Sequence, residues 1–158
     1  MTVELRHPTI DDGAALWRVT KDSQRLDLNS PYAYILWTRD FARTTLVAEV
    51  DGEVGGFVTG YMRPDEPTTL MVWQIAVDEK HRGQGLAGRL LDELASRTDA
   101  KALETTITED NPQSRATFDK FANRHGATLT VSSLFETAHF PNNQHWEPEL
   151  LHRIEPLN

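Results

Sequence analysis

Apolar and polar residues alternate at the start of the chain: Val3-Glu4-Leu5-Arg6 puts its apolar side chains on one face of an extended segment, as an opening strand does. From Thr9 to Gln24 the spacing becomes helical, with Thr9 or Asp11 placed to cap the first turn and Ile10, Ala14, Leu16 and Trp17 as the expected inner face. Ser30-Pro31 breaks the chain before a short aromatic-rich piece from Tyr32 to Trp37. Thr45 to Val50 and Val54 to Tyr61 read as two strands joined by a tight turn at Asp51-Gly52, and Pro64 to Pro67 as a looser turn. Leu70 to Val77 is nearly all apolar, the pattern of a strand covered on both faces at the centre of a sheet.

The second half continues with a helix from about Gly85 to Arg97 and a strand from Leu103 to Thr108. Another helix opens with Asn111 as cap and Pro112 at its first position, and closes near Gly126, a suitable left-handed terminator. Leu129 to Phe135 and Leu150 to Ile154 supply the last strands. This order predicts an α/β (α+β) fold, with a mixed central sheet, built as a single domain over residues 1–158.

Composition narrows the chemistry. A chain of 158 residues fits one domain and can bury about two thirds of its unfolded surface. The absence of cysteine excludes disulfides, thiolate metal sites and a cysteine nucleophile. The net charge of −8, from 24 acidic against 16 basic residues, argues against nucleic-acid binding and would concentrate a cationic substrate. No basic start with an apolar run opens the chain, and no stretch approaches the ~18 apolar residues of a membrane span, so a cytoplasmic protein without membrane contact is expected. His81, His125, His139, His145 and His152 lack carboxylates at ligand spacing, and no metal is expected.

The most informative stretch joins the apolar strand to its helix: Arg82-Gly83-Gln84-Gly85-Leu86-Ala87. Glycines let the backbone turn sharply there, and the free amides and dipole of a helix start attract an anion, to which Arg82 adds a charged donor fork. The Gly-Lys-Ser/Thr ending of a Walker loop and the three spaced glycines of a dinucleotide loop are both absent.

Arg82-x-x-Gly85-x-Ala87 after an apolar strand resembles the Q/R-x-x-G-x-G/A signature of the Gcn5-related N-acetyltransferase (GNAT) family, and Asn111-x-x-Ser114-x-x-x-Phe118 resembles that family's next motif. The order of elements agrees over nearly the whole chain. The resemblance implies the GNAT fold: about seven strands and about four helices, with the sheet splayed between its fourth and fifth strands. It also implies acetyl-CoA as co-substrate. By the same resemblance Ile75, Ala76 and Val77 would meet the pantetheine arm and Arg82, Gly83, Gln84, Gly85, Leu86 and Ala87 the pyrophosphate, with Asn111, Ser114 and Phe118 approaching from the other side. The family often has tyrosine at the position of Phe118, where it protonates the leaving thiolate. Phenylalanine has no proton to give, which leaves that role to water, Tyr32 or Tyr34.

A narrower group within the family, the L-2,4-diaminobutyrate acetyltransferases of ectoine synthesis, is similar in the loop Leu26-Asp27-Leu28-Asn29-Ser30-Pro31-Tyr32. It is also similar in Val72-Trp73-Gln74-Ile75-Ala76-Val77, in Asp110-Asn111-Pro112-x-Ser114-Arg115-Ala116 and in the terminal Glu149-x-x-x-Arg153-Ile154. This resemblance implies acetylation of the 4-amino group of the diamine by a homodimer. It casts Asp27 and Glu149 as anchors for the two ammonium groups, with Glu147 as the register alternative, and Trp73 as the wall of the pocket. Asn29, Tyr32 or Arg39 would meet the α-carboxylate. An acetyltransferase for another amine, and a non-catalytic acetyl-CoA-binding module of the kind Phe118 would suit, remain open on the residues.

Overall fold

The computed structural model describes residues 1–23 and 26–158, so the expected helix end at Gln24 lies outside the described residues. Among the described residues the sheet has seven strands: β1 (Val3–Arg6), β2 (Thr45–Val50), β3 (Glu53–Arg63), β4 (Glu66–Val77), β5 (Ala102–Ile107), β6 (Thr128–Phe135) and β7 (Glu149–Glu155). Their order across the sheet is β1-β2-β3-β4-β5-β7-β6, and β4–β5 is the parallel pair in an otherwise antiparallel sheet. Helices α1 (Gly13–Ser23) and α2 (Pro31–Asp40) cover one face; α3 (Leu86–Ser96) and α4 (Pro112–Arg124) cover the other.

Each layer is held by its own apolar cluster. Leu46, Val58, Leu70, Val72 and Leu103 meet Leu90, Leu91 and Leu94 of α3 and Phe118 and Phe121 of α4, while Val47, Phe57 and Ala76 meet Leu16, Val19 and Tyr34 of α1 and α2. These residues are fully or nearly fully buried, and each large aliphatic or aromatic side chain so removed from water contributes about 2 kcal/mol.

Local chemistry explains most boundaries. Thr9 caps a short 3-10 turn, Ile10–Asp12, and Asp12 closes a capping box on it. Because that turn winds at three residues per turn, the inward stripe of α1 begins later than a single continuous helix would place it. Ile10 and Ala14, expected inside, are therefore exposed, Trp17 is half-buried, and the buried positions of α1 are Gly13, Leu16, Val19 and Thr20. Ser30-Pro31 also turns out differently: Ser30 accepts a hydrogen bond from the Ala33 N–H and Pro31 occupies the first turn, so the pair starts α2. The turn after β3 is shorter than expected, since β4 already begins at Glu66 and Pro67 lies within it. Gly13 lets α1 and α2 approach, because a Cβ there would lie 2.9 Å from the Ile35 Cα.

Two irregularities in β4 open the sheet and re-aim its side chains. The strand pairs with β5 only from Thr69 to Val72, then runs on to Val77 with no strand of the described residues beside that edge, so the sheet splays between its fourth and fifth strands. Its register with β3 shifts between Gly60↔Val72 and Thr59↔Gln74, making Trp73 the extra residue of a bulge. Alternation stops there: Trp73 and Gln74 both face α2, whereas Ile75 and Val77 face the α3 side.

Candidate active site

Between β4 and α3 the chain makes a 3-10 turn, Glu79–His81, and then passes through Gly83 and Gly85 at φ of 79° and 72°. These left-handed values favour glycine, and Gly85 caps α3 without a side chain. The first bond of the helix runs from the Arg89 N–H to the Gly85 carbonyl, so the amides of Leu86, Ala87 and Gly88 precede the ladder and are directed out of the helix end. They open on a cavity of about 500 Å³ lined by His81, Arg82, Arg89, Lys120 and Arg124, with Asp92 as its acidic member. Arg124 is bonded to Asp92 at 2.9 Å and to the Gly88 carbonyl at 3.3 Å, which ties α4 to the start of α3. A chain of net charge −8 thus gathers cations around one helix start, an arrangement suited to several phosphate oxygens.

A second cavity, of about 160 Å³, continues along the splay and shares Val77, Arg82, Ala87 and Thr117 with the first. Ile75, Ala76 and Val77 line one side; Asn111, Gln113 and Ser114 at the start of α4 line the other. Asn111 caps α4 by accepting from the Ser114 N–H at 3.2 Å, and Arg82 donates to the Val77 carbonyl at 3.3 Å. The two cavities form a groove with a phosphate-sized cationic end and a narrow end beside an unpaired strand edge, which fits a pantetheine chain leading from a pyrophosphate. Of the residues expected around the cofactor, Gln84 is exposed and Phe118 is packed in the core; neither lines the groove.

The face opposite α3 and α4 holds the residues expected to meet the substrate. Trp73 stacks on Trp37 of α2, with ring centroids 4.4 Å apart, and Tyr34 lies 6.1 Å from it on the same side. The Trp37 indole N–H donates to the Thr45 hydroxyl at 3.1 Å, fixing the lower ring. Asp27 is exposed on the loop before α2, and its backbone carbonyl accepts from the Gln74 amide at 2.8 Å, which brings the loop beside Trp73. Leu26 of the same loop lines the narrow cavity.

Register locates the C-terminal carboxylates. Val72↔Thr105 and Ile107↔Leu150, extended by a few residues, bring Glu149 level with Ile75 across the splay. Leu150 shares a face with the core residue Ile107, so Glu149 is on the other face, the one that carries Trp73. Glu147 precedes the strand and lies 3.4 Å from the His145 Nε2, with both side chains exposed. The geometry therefore brings Asp27, Trp73 and Glu149 to one side of the splay and leaves Glu147 outside the strand. Tyr32 is 68% exposed on α2, and Arg39 pairs with Asp40 at 2.7 Å at the far end of that helix. Asn29 is half-buried, its N–H 3.5 Å from the Tyr34 hydroxyl.

Sequence reading missed His81, Arg89, Lys120 and Arg124 in the cationic cavity, and Trp37 beneath Trp73. For α4 a signal existed: Ser114, Thr117, Lys120 and Arg124 recur at helical spacing on the side that faces α3. Among the described residues no group of three or more His, Asp or Glu is placed to hold a metal ion, and no helix is long and apolar enough to cross a membrane.

A splayed mixed sheet with a cation-lined helix start at the splay is the frame of an acyl-CoA-dependent transferase, and residues 12–122 match the model of the acetyltransferase (GNAT) family; the chain belongs to that family. Within it, the chain is 52% identical over 161 residues to the L-2,4-diaminobutyric acid acetyltransferase of Streptomyces coelicolor, covering 99% of this chain and 94% of that one. It is 53% identical over 155 residues to the L-2,4-diaminobutyric acid acetyltransferase of Streptomyces anulatus, covering 95% and 88%. Among solved structures it is similar to the diaminobutyrate acetyltransferase EctA from Paenibacillus lautus in complex with L-2,4-diaminobutyric acid and coenzyme A. That pair has a TM-score of 0.92 and 35% identity, covering 98% of this chain and 95% of that one. Ard1 from Thermoplasma volcanium, with a TM-score of 0.77 at 16% identity, shares the fold.

Proposed function

We propose that this chain is an L-2,4-diaminobutyrate acetyltransferase, which moves the acetyl group of acetyl-CoA to the 4-amino group and gives N4-acetyl-L-2,4-diaminobutyrate. The observation that carries the reading is the pairing of the cationic groove with a carboxylate-bearing face at one splay, in a chain whose relatives bear that activity. The residue roles follow the chemistry. Asp27 and Glu149 hold the two ammonium groups, and Trp73 packs against the aliphatic carbons between them. Arg82 and the α3 amides hold the pyrophosphate; Arg89, Lys120 and Arg124 add positive charge around it.

Attack forms the N–C bond and breaks the C–S bond, so the amine must first lose a proton and the departing thiolate must gain one. The free edge of β4 beyond Val72 offers backbone N–H groups to the thioester carbonyl as negative charge develops on its oxygen. Phe118 is buried and has no acidic proton, the Tyr34 hydroxyl donates to Gln74 at 3.0 Å, and Tyr32 is 68% exposed on α2. Water in the open splay is then the donor to the thiolate. The chain acts as one domain and as a homodimer in the cytoplasm, supplying a precursor of ectoine, a compatible solute made under osmotic stress. Supporting the dimer is the sheet edge β6, where Val131, Leu134 and Phe135 are exposed.

Release of coenzyme A, followed with diaminobutyrate, spermidine, lysine and an N-terminal peptide as acceptors, tests the reading. Preferred turnover of diaminobutyrate is expected. Preference for another amine would contradict the substrate, and turnover of none would favour a binding module.

A further inference from the structure

Gln74 is a polar side chain at the centre of the sheet, 6% exposed, that the acetyl-transfer chemistry does not use. Its backbone is fixed at the bulge by one hydroxyl: the Gln74 N–H donates to the Thr59 Oγ1 at 3.1 Å, and that Oγ1 donates to the Gln74 carbonyl at 3.3 Å. The side chain then reaches out of the sheet in two directions. Its Nε2 donates to the Asp27 backbone carbonyl at 2.8 Å, and its Oε1 accepts from the Tyr34 hydroxyl at 3.0 Å. A backbone carbonyl can only accept, so the amide has one permitted orientation, with its donor end on the loop. Only the bulge allows this contact, because in a regular strand Gln74 and Trp73 would face opposite sides.

We propose that Gln74 is a positioning and specificity-determining residue, which fixes the distance between the Asp27 loop and the cofactor-bearing part of β4. The assignment rests on the reading of Asp27 as an ammonium anchor. Asp27 stands in a loop without regular structure, and Gln74 ties that loop to the strand whose next residues, Ile75 to Val77, line the narrow cavity. A substrate spanning the two must match that fixed separation, and a diamine longer by one methylene places its amine beyond it. A loosened clamp would cost the short diamine its advantage.

Two variants test the clamp. Gln74→Glu puts a carboxylate oxygen against the Asp27 carbonyl, and Tyr34→Phe removes the other half of the contact while leaving the ring in place. In Gln74→Glu the KM for diaminobutyrate should rise about tenfold, with the KM for acetyl-CoA within about twofold of the parent, and the preference for diaminobutyrate over ornithine should fall about fivefold. Tyr34→Phe should move the same quantities in the same direction by a smaller factor. Hydrogen exchange at the amides of residues 26–30 should quicken about tenfold in Gln74→Glu with protection in α3 unchanged, a readout that needs no substrate. Unchanged exchange in that loop, or a rise in both KM values together, overturns the proposal. Parent protein inactive on diaminobutyrate, but with the exchange effect present, would contradict the substrate and leave the clamp standing.

Discussion

The indole of Trp73 lies on that of Trp37 with centroids 4.4 Å apart and planes inclined by 20°, so the wall of the proposed substrate pocket is set by a helix, not by the strand that carries it. Trp37 is also in contact range of Phe41 and Tyr61, at 4.6 and 6.2 Å between centroids. Trp37→Ala should therefore lower stability by about 3 kcal/mol, read as a shift of the urea unfolding midpoint. It should also raise the KM for the diamine. A stability loss with an unchanged diamine KM would separate Trp73 from the pocket.

At the cofactor end, Arg82→Ala should weaken acetyl-CoA binding about tenfold, the loss of roughly one charge-assisted hydrogen bond of about 1.5 kcal/mol. Lys120→Glu should weaken it too, with a loss that shrinks as salt is added, since its partner phosphate would be solvent-exposed. Calorimetry at low and high ionic strength reads both. Equal cofactor affinity in Arg82→Ala and the parent would remove the pyrophosphate role.

Gly85→Ala separates conformation from space. A Cβ there would meet no atom of the described residues beyond its immediate chain neighbours within 4 Å, but φ stands at 72°. The substitution should cost about 1 kcal/mol of stability through the left-handed backbone alone, visible as a lower melting temperature. No change in melting would mean that the loop relaxes freely around this residue.

Much of this frame was legible in the sequence where short-range chemistry decides it. Asn111-Pro112, Gly126 and Asp51-Gly52 each act within a few residues and stand where the pattern put them, while Thr9 caps as expected but opens a short 3-10 turn and not α1 itself. Ser30-Pro31 carries the same starting chemistry as Asn111-Pro112, but the aromatic run behind it lacks a clear helical stripe, and α2 went unread. The bulge at Trp73 arises from pairing with β3, and the place of Glu149 inside β7, with Glu147 before it, from pairing with β6 and β5. Neither partner can be seen from the strand itself. Arg124 joins the cationic cavity only because α4 packs on α3.

Acid should weaken the fold through Asp12. Burial works to raise its pKa, but the Arg6 guanidinium at 2.9 Å and the Thr9 N–H at 2.8 Å overcome that and hold the carboxyl below its usual range. The folded state thus binds this proton less readily than the unfolded chain. The resulting stability is fully present above the unfolded pKa of about 3.9 and is lost as pH falls below it. Asp12→Asn should melt at a lower temperature than the parent at about pH 6, and the two melting curves should converge towards about pH 3. A gap independent of pH would show that the ion pair with Arg6 contributes nothing.

The proposed reaction transfers acetyl to one particular nitrogen of one diamine. The most direct measurement incubates the protein with acetyl-CoA and L-2,4-diaminobutyrate, assigns the acetylated nitrogen by NMR, and compares kcat/KM with ornithine and lysine. Acetylation at N4 is expected, with diaminobutyrate favoured about tenfold or more over the homologue one methylene longer. Acetylation at N2, or equal efficiency on ornithine and lysine, would contradict it.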